Sequence, residues 1–344
     1  MREDNLEAVL SLLGVAVIVV DPDRRIVSDN FLARQQFARR LVGRQVAEAI
    51  DSAKLDRKIA RVLEGERHLS TEIRVTHGTK QTYRVSIVRL DPSPEHDVVR
   101  AVVSLENITH IRAANKMRSD FVANVSHELR SPLTSLYGFI ETLRANPDIA
   151  PTDRDRFLGL MENEARRMVR LIDELLTLSI LQAETDTEPS DAIEVMPLLE
   201  RVIAALAPMA RAEATRVVLS GPDAPLTVRG KDDKLTQVFR NLIENAIKYS
   251  RKGSEVRVSV RPDPAEPDMV NVLVQDSGEG IAPKHIARLT ERFYRVDKGR
   301  SRSMGGTGLG LAIVKHILAQ HRGELRIDST VGVGSTFTVS LPRA

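Results

Sequence analysis

The chain has 344 residues, 42% apolar and 28% charged, which is too long for one ordinary core and places it among multidomain globular proteins. Its 50 basic and 47 acidic residues nearly cancel, to +3, so composition excludes a general electrostatic grip on nucleic acid. The absence of cysteine excludes disulfides, thiolate metal sites and cysteine nucleophiles, and agrees with a cytoplasmic setting.

The apolar run Ala8 to Val20 is shorter than the ~20 residues of a membrane-spanning helix, and Met-Arg-Glu-Asp is not followed directly by the apolar core of a secretory signal. As given, the chain reads as cytoplasmic, with membrane association open if native spans lie upstream. From residue 13 to 106, β-branched runs alternate with turns: Val15 to Val20, Asp-Pro-Asp-Arg-Arg, Ile26 to Ser28, Thr71 to Val75, Thr82 to Val88 and Val98 to Leu105. This pattern of strand, polar turn, strand, helices and final hairpin resembles a PAS sensor domain. A plain dimerisation module is the alternative, and no residue announces a haem, a flavin or the signal that would be sensed.

A long helix is predicted from Ile108 to about Ala145 and a second from about Thr152 to Ala183, broken at Asn146-Pro147 and Pro151. Apolar residues recur at steps of 3 and 4 through Met117, Phe121, Val125, Leu129, Leu133, Leu136, Ile140 and Leu143. The second helix repeats the pattern through Phe157, Met161, Ala165, Met168, Ile172, Leu175 and Leu178. One antiparallel hairpin leaves such stripes bare, whereas two hairpins bury them as a four-helix bundle, so a homodimer is expected. Residues 184–191 read as a linker. A helix from Met196 to Glu213, strands near Arg216 to Ser220 and Leu226 to Arg229, and a helix from Lys231 to Tyr249 follow. Strands near Glu255 to Val260 and Asn271 to Asp276, a helix from Leu309 to Gln320 and a hairpin from Glu324 to Leu341 complete an α/β sandwich. The division expected is 1–107, 108–184 and 192–344, a multidomain α+β chain.

His127 lies two positions from both Val125 and Leu129, about 200° around the helix from the stripe at ~100° per residue, and therefore faces solvent. A neutral imidazole is a nucleophile near neutral pH, and Glu128 beside it can orient the ring or accept its proton. Pro132 deletes the backbone bond to Glu128. The segment Ser126-His-Glu-Leu-Arg-Ser-Pro-Leu-Thr134 resembles the phosphoacceptor box of the sensor histidine kinases. In Asn241-Leu-Ile-Glu-Asn-Ala-Ile-Lys-Tyr249, Asn241, Asn245 and Lys248 share a helical face, with amide oxygens for Mg²⁺ and a lysine for phosphate. Asp276-Ser-Gly-Glu-Gly-Ile281 ends a strand with a carboxylate able to accept from an amino group and glycines that allow close approach. Gly305-Gly-Thr-Gly-Leu-Gly310 opens a helix whose amides suit a triphosphate.

These segments resemble, in order, the H, N, G1, F, G2 and G3 boxes of that family, with Glu291-Arg-Phe-Tyr-Arg-Val-Asp297 as the F box and Lys298 to Met304 as a lid. Gly334-Ser-Thr-Phe337 stands for the last. The resemblance covers residues 108 to 344, and its helical part looks most like the phosphate-regulon sensor kinases. It implies a Bergerat-type ATP-binding domain with ATP and Mg²⁺ as cofactors, Asn245 on the metal and Asp276 on adenine. Asn241, Lys248, Tyr249, Gly278, Gly280, Ile281, Arg295, Gly306, Thr307, Gly308, Leu309, Gly310 and Thr336 would hold the nucleotide. His127 would be phosphorylated, with Glu128 assisting, and the group would pass to an aspartate in a response regulator receiver domain. Many relatives carry Thr or Asn four residues after the histidine to position water for dephosphorylating that partner; here the position is Ser131, whose hydroxyl could do the same. A gyrase- or chaperone-type ATPase and a non-catalytic scaffold are the rival readings. Whether each subunit phosphorylates itself or its twin rests on the loop near 146–152.

Overall fold

The computed structural model describes residues 14–37, 40–77, 79–92, 98–183, 191–297 and 306–344. Residues 184–190 of the predicted linker and the predicted lid from Lys298 to Met304 lie outside them. Two compact units divide the chain, Met1–Val122 and Ala123–Ala344. Among the described residues, no helix is long and apolar enough to cross a membrane.

The first unit holds β1 (Ala16–Val20), β2 (Ile26–Asp29), α1 (Phe31–Gln36), α2 (Val46–Ile50), α3 (Ala53–Glu64), β3 (His68–His77), β4 (Thr79–Leu90) and β5 (Arg100–Asn107). Its sheet is antiparallel in the order β2-β1-β5-β4-β3. All five residues of the inner strand β1 are buried, which is why Ala16 to Val20 is a continuous apolar run, while β5 alternates between deeper and shallower burial. Leu55, Ile59 and Val62 of α3 close the core over Ile18, Val85 and Val103. Buried Asn30 caps α1 by accepting from the Ala33 amide at 3.0 Å and ties it to β1, accepting from Val17 N at 3.0 Å and donating to Val15 O at 2.9 Å.

Helix α4 (Thr109–Ala145) begins in the first unit and continues into the second, and α5 (Pro151–Ala183) starts with proline, whose fixed φ suits a first helical turn. Pro132 is buried within α4. Phe139 and Phe157 pack with ring centroids 5.7 Å apart, pairing the two helices near their connection.

The rest of the second unit holds β6 (Ala192–Glu194), α6 (Val195–Ala212), β7 (Arg216–Ser220), β8 (Thr227–Arg229), α7 (Asp232–Tyr249), β9 (Glu255–Pro262), β10 (Met269–Gln275), α8 (Pro283–Ile286), α9 (Gly310–Gln320), β11 (Glu324–Thr330) and β12 (Gly334–Pro342). The main sheet runs β11-β12-β10-β9-β7, antiparallel except for β7 beside β9. Strand β9 buries Val256, Val258 and Val260 at alternate positions, and α7 supplies Leu235, Val238, Phe239, Leu242 and Ile243 to the same layer. Buried His321, just after α9, accepts the Lys231 amide on Nε2 at 3.1 Å and donates from Nδ1 to Ile317 O at 2.8 Å, so one neutral tautomer satisfies both partners. Strand β6, which pairs with the predicted strand β8, and helix α8 are additions to the predicted elements.

Candidate functional site

Helix α7 divides its circumference between the core and a cavity. Val238, Phe239, Leu242, Ile243, Ala246 and Ile247 are buried, while Asn241, Glu244, Asn245 and Lys248 recur on the other side at helical spacing and line an opening of about 450 Å³. The cavity wall is completed by the turn after β10, the segment before α9 and the start of β12.

Asp276 follows β10 and is 6% exposed. Its Oδ1 accepts the Gly278 amide at 2.8 Å and the Ser335 amide at 3.2 Å. Burial nevertheless pushes the Asp276 carboxyl above the usual carboxylate range, against the pull of those hydrogen bonds. Gly280 has φ +69°, and a Cβ there would lie 2.0 Å from Thr330 O, so the turn that brings Gly280 and Ile281 to the cavity admits glycine alone. Gly308, at φ +76°, lets Gly308 O accept the Phe293 amide at 2.8 Å, joining the segment around Phe293 to the one that opens α9. Asn241 fixes that opening from α7, its Nδ2 donating to Gly310 O at 3.3 Å.

Lys248 Nζ donates to Glu244 Oε1 at 2.6 Å, so the expected phosphate lysine has an anionic partner one turn back. Arg295, with its side chain 5% exposed, donates through Nη2 to Thr307 O at 3.1 Å and to Glu128 Oε2 at 2.8 Å. The same carboxylate oxygen accepts from Arg167 of α5 at 3.1 Å. Thr307, 6% exposed, hydrogen-bonds through its hydroxyl to the carboxylate of Glu174 on α5 and accepts the Leu309 amide at 3.3 Å. Burial raises the Glu174 carboxyl above its ordinary range, with Thr307 opposing, Glu244 adding to the rise, and Lys248 and Arg170 offsetting it.

Asn241, Asn245, Lys248, Tyr249, Asp276, Gly280, Ile281, Arg295, Gly306, Thr307, Gly308 and Gly310 thus meet around one cavity. Gly278, Leu309 and Thr336 do not line it: a Cβ on Gly278 would lie 2.4 Å from Tyr249 O, Leu309 is fully buried at the cap of α9, and Thr336 pairs in β12 between Ser335 and Phe337. Those two neighbours line the cavity instead, because successive side chains of a strand point to opposite faces. His127 is exposed on α4, with Ser131 one turn on and half-buried, and neither lines the cavity. Glu174, Asp173 and Arg170 of α5 also line it, and no local pattern marks them, because only the packing of α5 brings them there. Among the described residues, no three His, Cys, Asp or Glu side chains gather as a metal site. Asn245, which lines the cavity, carries an amide oxygen of the kind a hard cation accepts as a ligand.

Three families match in tandem: the PAS fold over residues 10–113, the His Kinase A phospho-acceptor domain over 117–184, and the histidine kinase-, DNA gyrase B- and HSP90-like ATPases over 230–344. The phosphate regulon sensor protein PhoR of Pseudomonas aeruginosa is 41% identical over 234 residues, covering 68% of this chain and 52% of PhoR. The sensor histidine kinase WalK of Bacillus subtilis is 38% identical over 253 residues, covering 72% of this chain and 40% of WalK. The chain thus spans about half the length of the curated relatives it matches. Histidine kinase ThkA, solved in complex with response regulator protein TrrA, aligns over 98% of both chains with a TM-score of 0.54 and 20% identity, a likeness of fold. With a PAS fold, a phospho-acceptor hairpin and the ATPase module in that order, the chain belongs to the sensor histidine kinases and resembles the PhoR type.

Proposed function

We propose that the chain is an ATP-dependent protein histidine kinase that phosphorylates His127 and passes the phosphoryl group to an aspartate of a response regulator. The observation that carries this reading is the Arg295 link. A guanidinium lining the Asn245–Asp276 cavity also pairs with Glu128, the residue next to an exposed histidine, so the cavity and the acceptor turn share one cation.

Adenine would donate its amino hydrogen to Asp276, whose Oδ1 is already committed to two backbone amides. The triphosphate would run along Lys248, Asn241 and the amides of Gly306 to Gly310. An ion such as Mg²⁺, held by Asn245 and phosphate oxygens, would neutralise charge there. An imidazole nitrogen of His127 attacks the γ-phosphorus, the bond to the β-phosphate oxygen breaks, ADP departs, and the ring proton goes to Glu128 or water. In the geometry seen here Glu128 is engaged by Arg167 and Arg295, so it must be released before it can take that proton.

The modules 1–107, 108–184 and 192–344 would act as sensor, phospho-acceptor hairpin and kinase domain. Exposed Leu133, Tyr137 and Ile140 on α4 and Val169, Ile172, Leu176 and Ile180 on α5 form apolar stripes suited to a second copy, which supports a homodimer. A kinase domain that consumes ATP would work in the cytoplasm, where ATP is supplied. Ser131, one turn from His127, would position water for the reverse dephosphorylation of the regulator. Incubation with γ-labelled ATP and Mg²⁺ tests the reading: acid-labile, base-stable label is expected on the native chain and none on His127→Gln. Undiminished label on the variant, or unlabelled native protein with ATP turnover intact in both, would overturn it in favour of another acceptor or a plain ATPase.

A further inference from the structure

We propose that Glu174 is a built-in competitor for the phosphates of ATP, so that nucleotide binding and the seating of α5 against the kinase domain oppose one another at this residue. The inference rests on the reading of Gly306–Gly310 as the triphosphate loop. The Glu174 carboxylate bonds the hydroxyl of Thr307, within that loop, and lines the same cavity as Lys248, the cation expected to meet phosphate. A buried hydroxyl needs an acceptor, and here a side chain from the phospho-acceptor hairpin occupies the place a phosphate oxygen would take. Both anions cannot use the Thr307 hydroxyl together, because it has one proton to donate and two like charges side by side in the cavity repel.

Glu174 is not a loose surface side chain. Leu171, Leu178 and Leu181, on either side of it along α5, are buried. The Leu181 carbonyl, in the last turn of α5, accepts from His316 Nε2 at 2.9 Å and Gln320 Nε2 at 3.0 Å, both on α9. Helix α9 is the helix that the Thr307 segment opens. The carboxylate is thus presented to the loop by a helix docked on both sides of it, and burial already holds its carboxyl above the ordinary range. Binding of triphosphate must turn Glu174 aside or loosen that docking, and a hairpin movement that withdraws Glu174 must tighten ATP.

Calorimetric titration of the full chain with a non-hydrolysable ATP analogue and with AMP, both in Mg²⁺, tests this in the native protein, Glu174→Gln and Glu174→Ala. Both variants are expected to bind the triphosphate about tenfold more tightly, the scale of one displaced charged hydrogen bond, with AMP affinity unchanged. The AMP arm also certifies that each variant is folded. Unchanged or weaker triphosphate binding with normal AMP binding, or an equal gain for both ligands, overturns the competitor role alone. A native chain that binds neither nucleotide overturns the nucleotide reading as well.

Discussion

The kinase sandwich and the phospho-acceptor hairpin use similar apolar side chains to different ends. In the sandwich, Phe239 is 1% exposed and the apolar face of α7 is sealed by the sheet; in the hairpin, Tyr137 is 63% and Leu176 58% exposed on helices just as regular. The sandwich completes its own core, whereas the hairpin leaves its apolar stripes uncovered. Apolar periodicity marks a face to be covered without saying whether the cover lies in the same chain.

Four measurements sharpen or break that contrast. The largest effect is expected from Phe239→Ala, which should cost the sandwich about 3–5 kcal/mol in denaturant unfolding through the cavity it leaves, with self-association unaltered. Leu176→Asp should do the converse. In the proposed homodimer, a charge buried between two hairpins should weaken association by about 2–3 kcal/mol in sedimentation, while unfolding of the sandwich stays put. An unchanged sedimentation profile would mean that the exposed stripe is not the dimer face. Next, tenfold dilution should lower the stability of the hairpin transition by about 1.4 kcal/mol and leave the sandwich transition unmoved, since only the former is linked to protein concentration.

The smallest effect concerns His321. Burial holds its imidazole below the ordinary histidine range. In the window from its unfolded value, about 6.5, down to that lower folded value, the unfolded chain therefore binds more protons. The stability it contributes is full above the window and lost as pH falls through it, because a protonated Nε2 can no longer accept the Lys231 amide. A loss of about 1 kcal/mol from the sandwich on acidification is expected, the scale of one buried hydrogen bond, with a flatter profile for His321→Gln. Identical pH profiles in the two proteins would exclude His321 as the titrating group.

Much of the fold was legible in the sequence because its signals are local. The break at Asn146-Pro147 separates α4 from α5, the apolar run that includes Ala16 to Val20 is the buried strand β1, and the polar face of α7 already grouped Asn241, Asn245 and Lys248. The solvent-facing direction of His127 followed from helical angle alone, and the residue is exposed. What escaped depends on contacts between distant segments. Glu174 and Leu171 lie within an ordinary helical repeat, and only docking on α9 separates them from their exposed neighbours Ile172 and Leu176. Around Thr336, a glycine-rich motif indicated the neighbourhood, but strand alternation assigned the cavity to Ser335 and Phe337.

Two histidines, one in α9 and one just after it, hold two joints in different ways. His321 accepts a hydrogen bond on one ring nitrogen and so must stay neutral to keep both of its bonds. His316 donates from Nε2 to the Leu181 carbonyl, which also accepts from Gln320 Nε2. The hairpin is therefore held to α9 at a main-chain carbonyl that any residue at position 181 would supply, while the start of α7 is held by the ring of one particular side chain. Replacing Leu181 should leave both hydrogen bonds to that carbonyl in place, whereas a side chain without an acceptor at position 321 leaves the Lys231 amide unpaired inside the kinase domain.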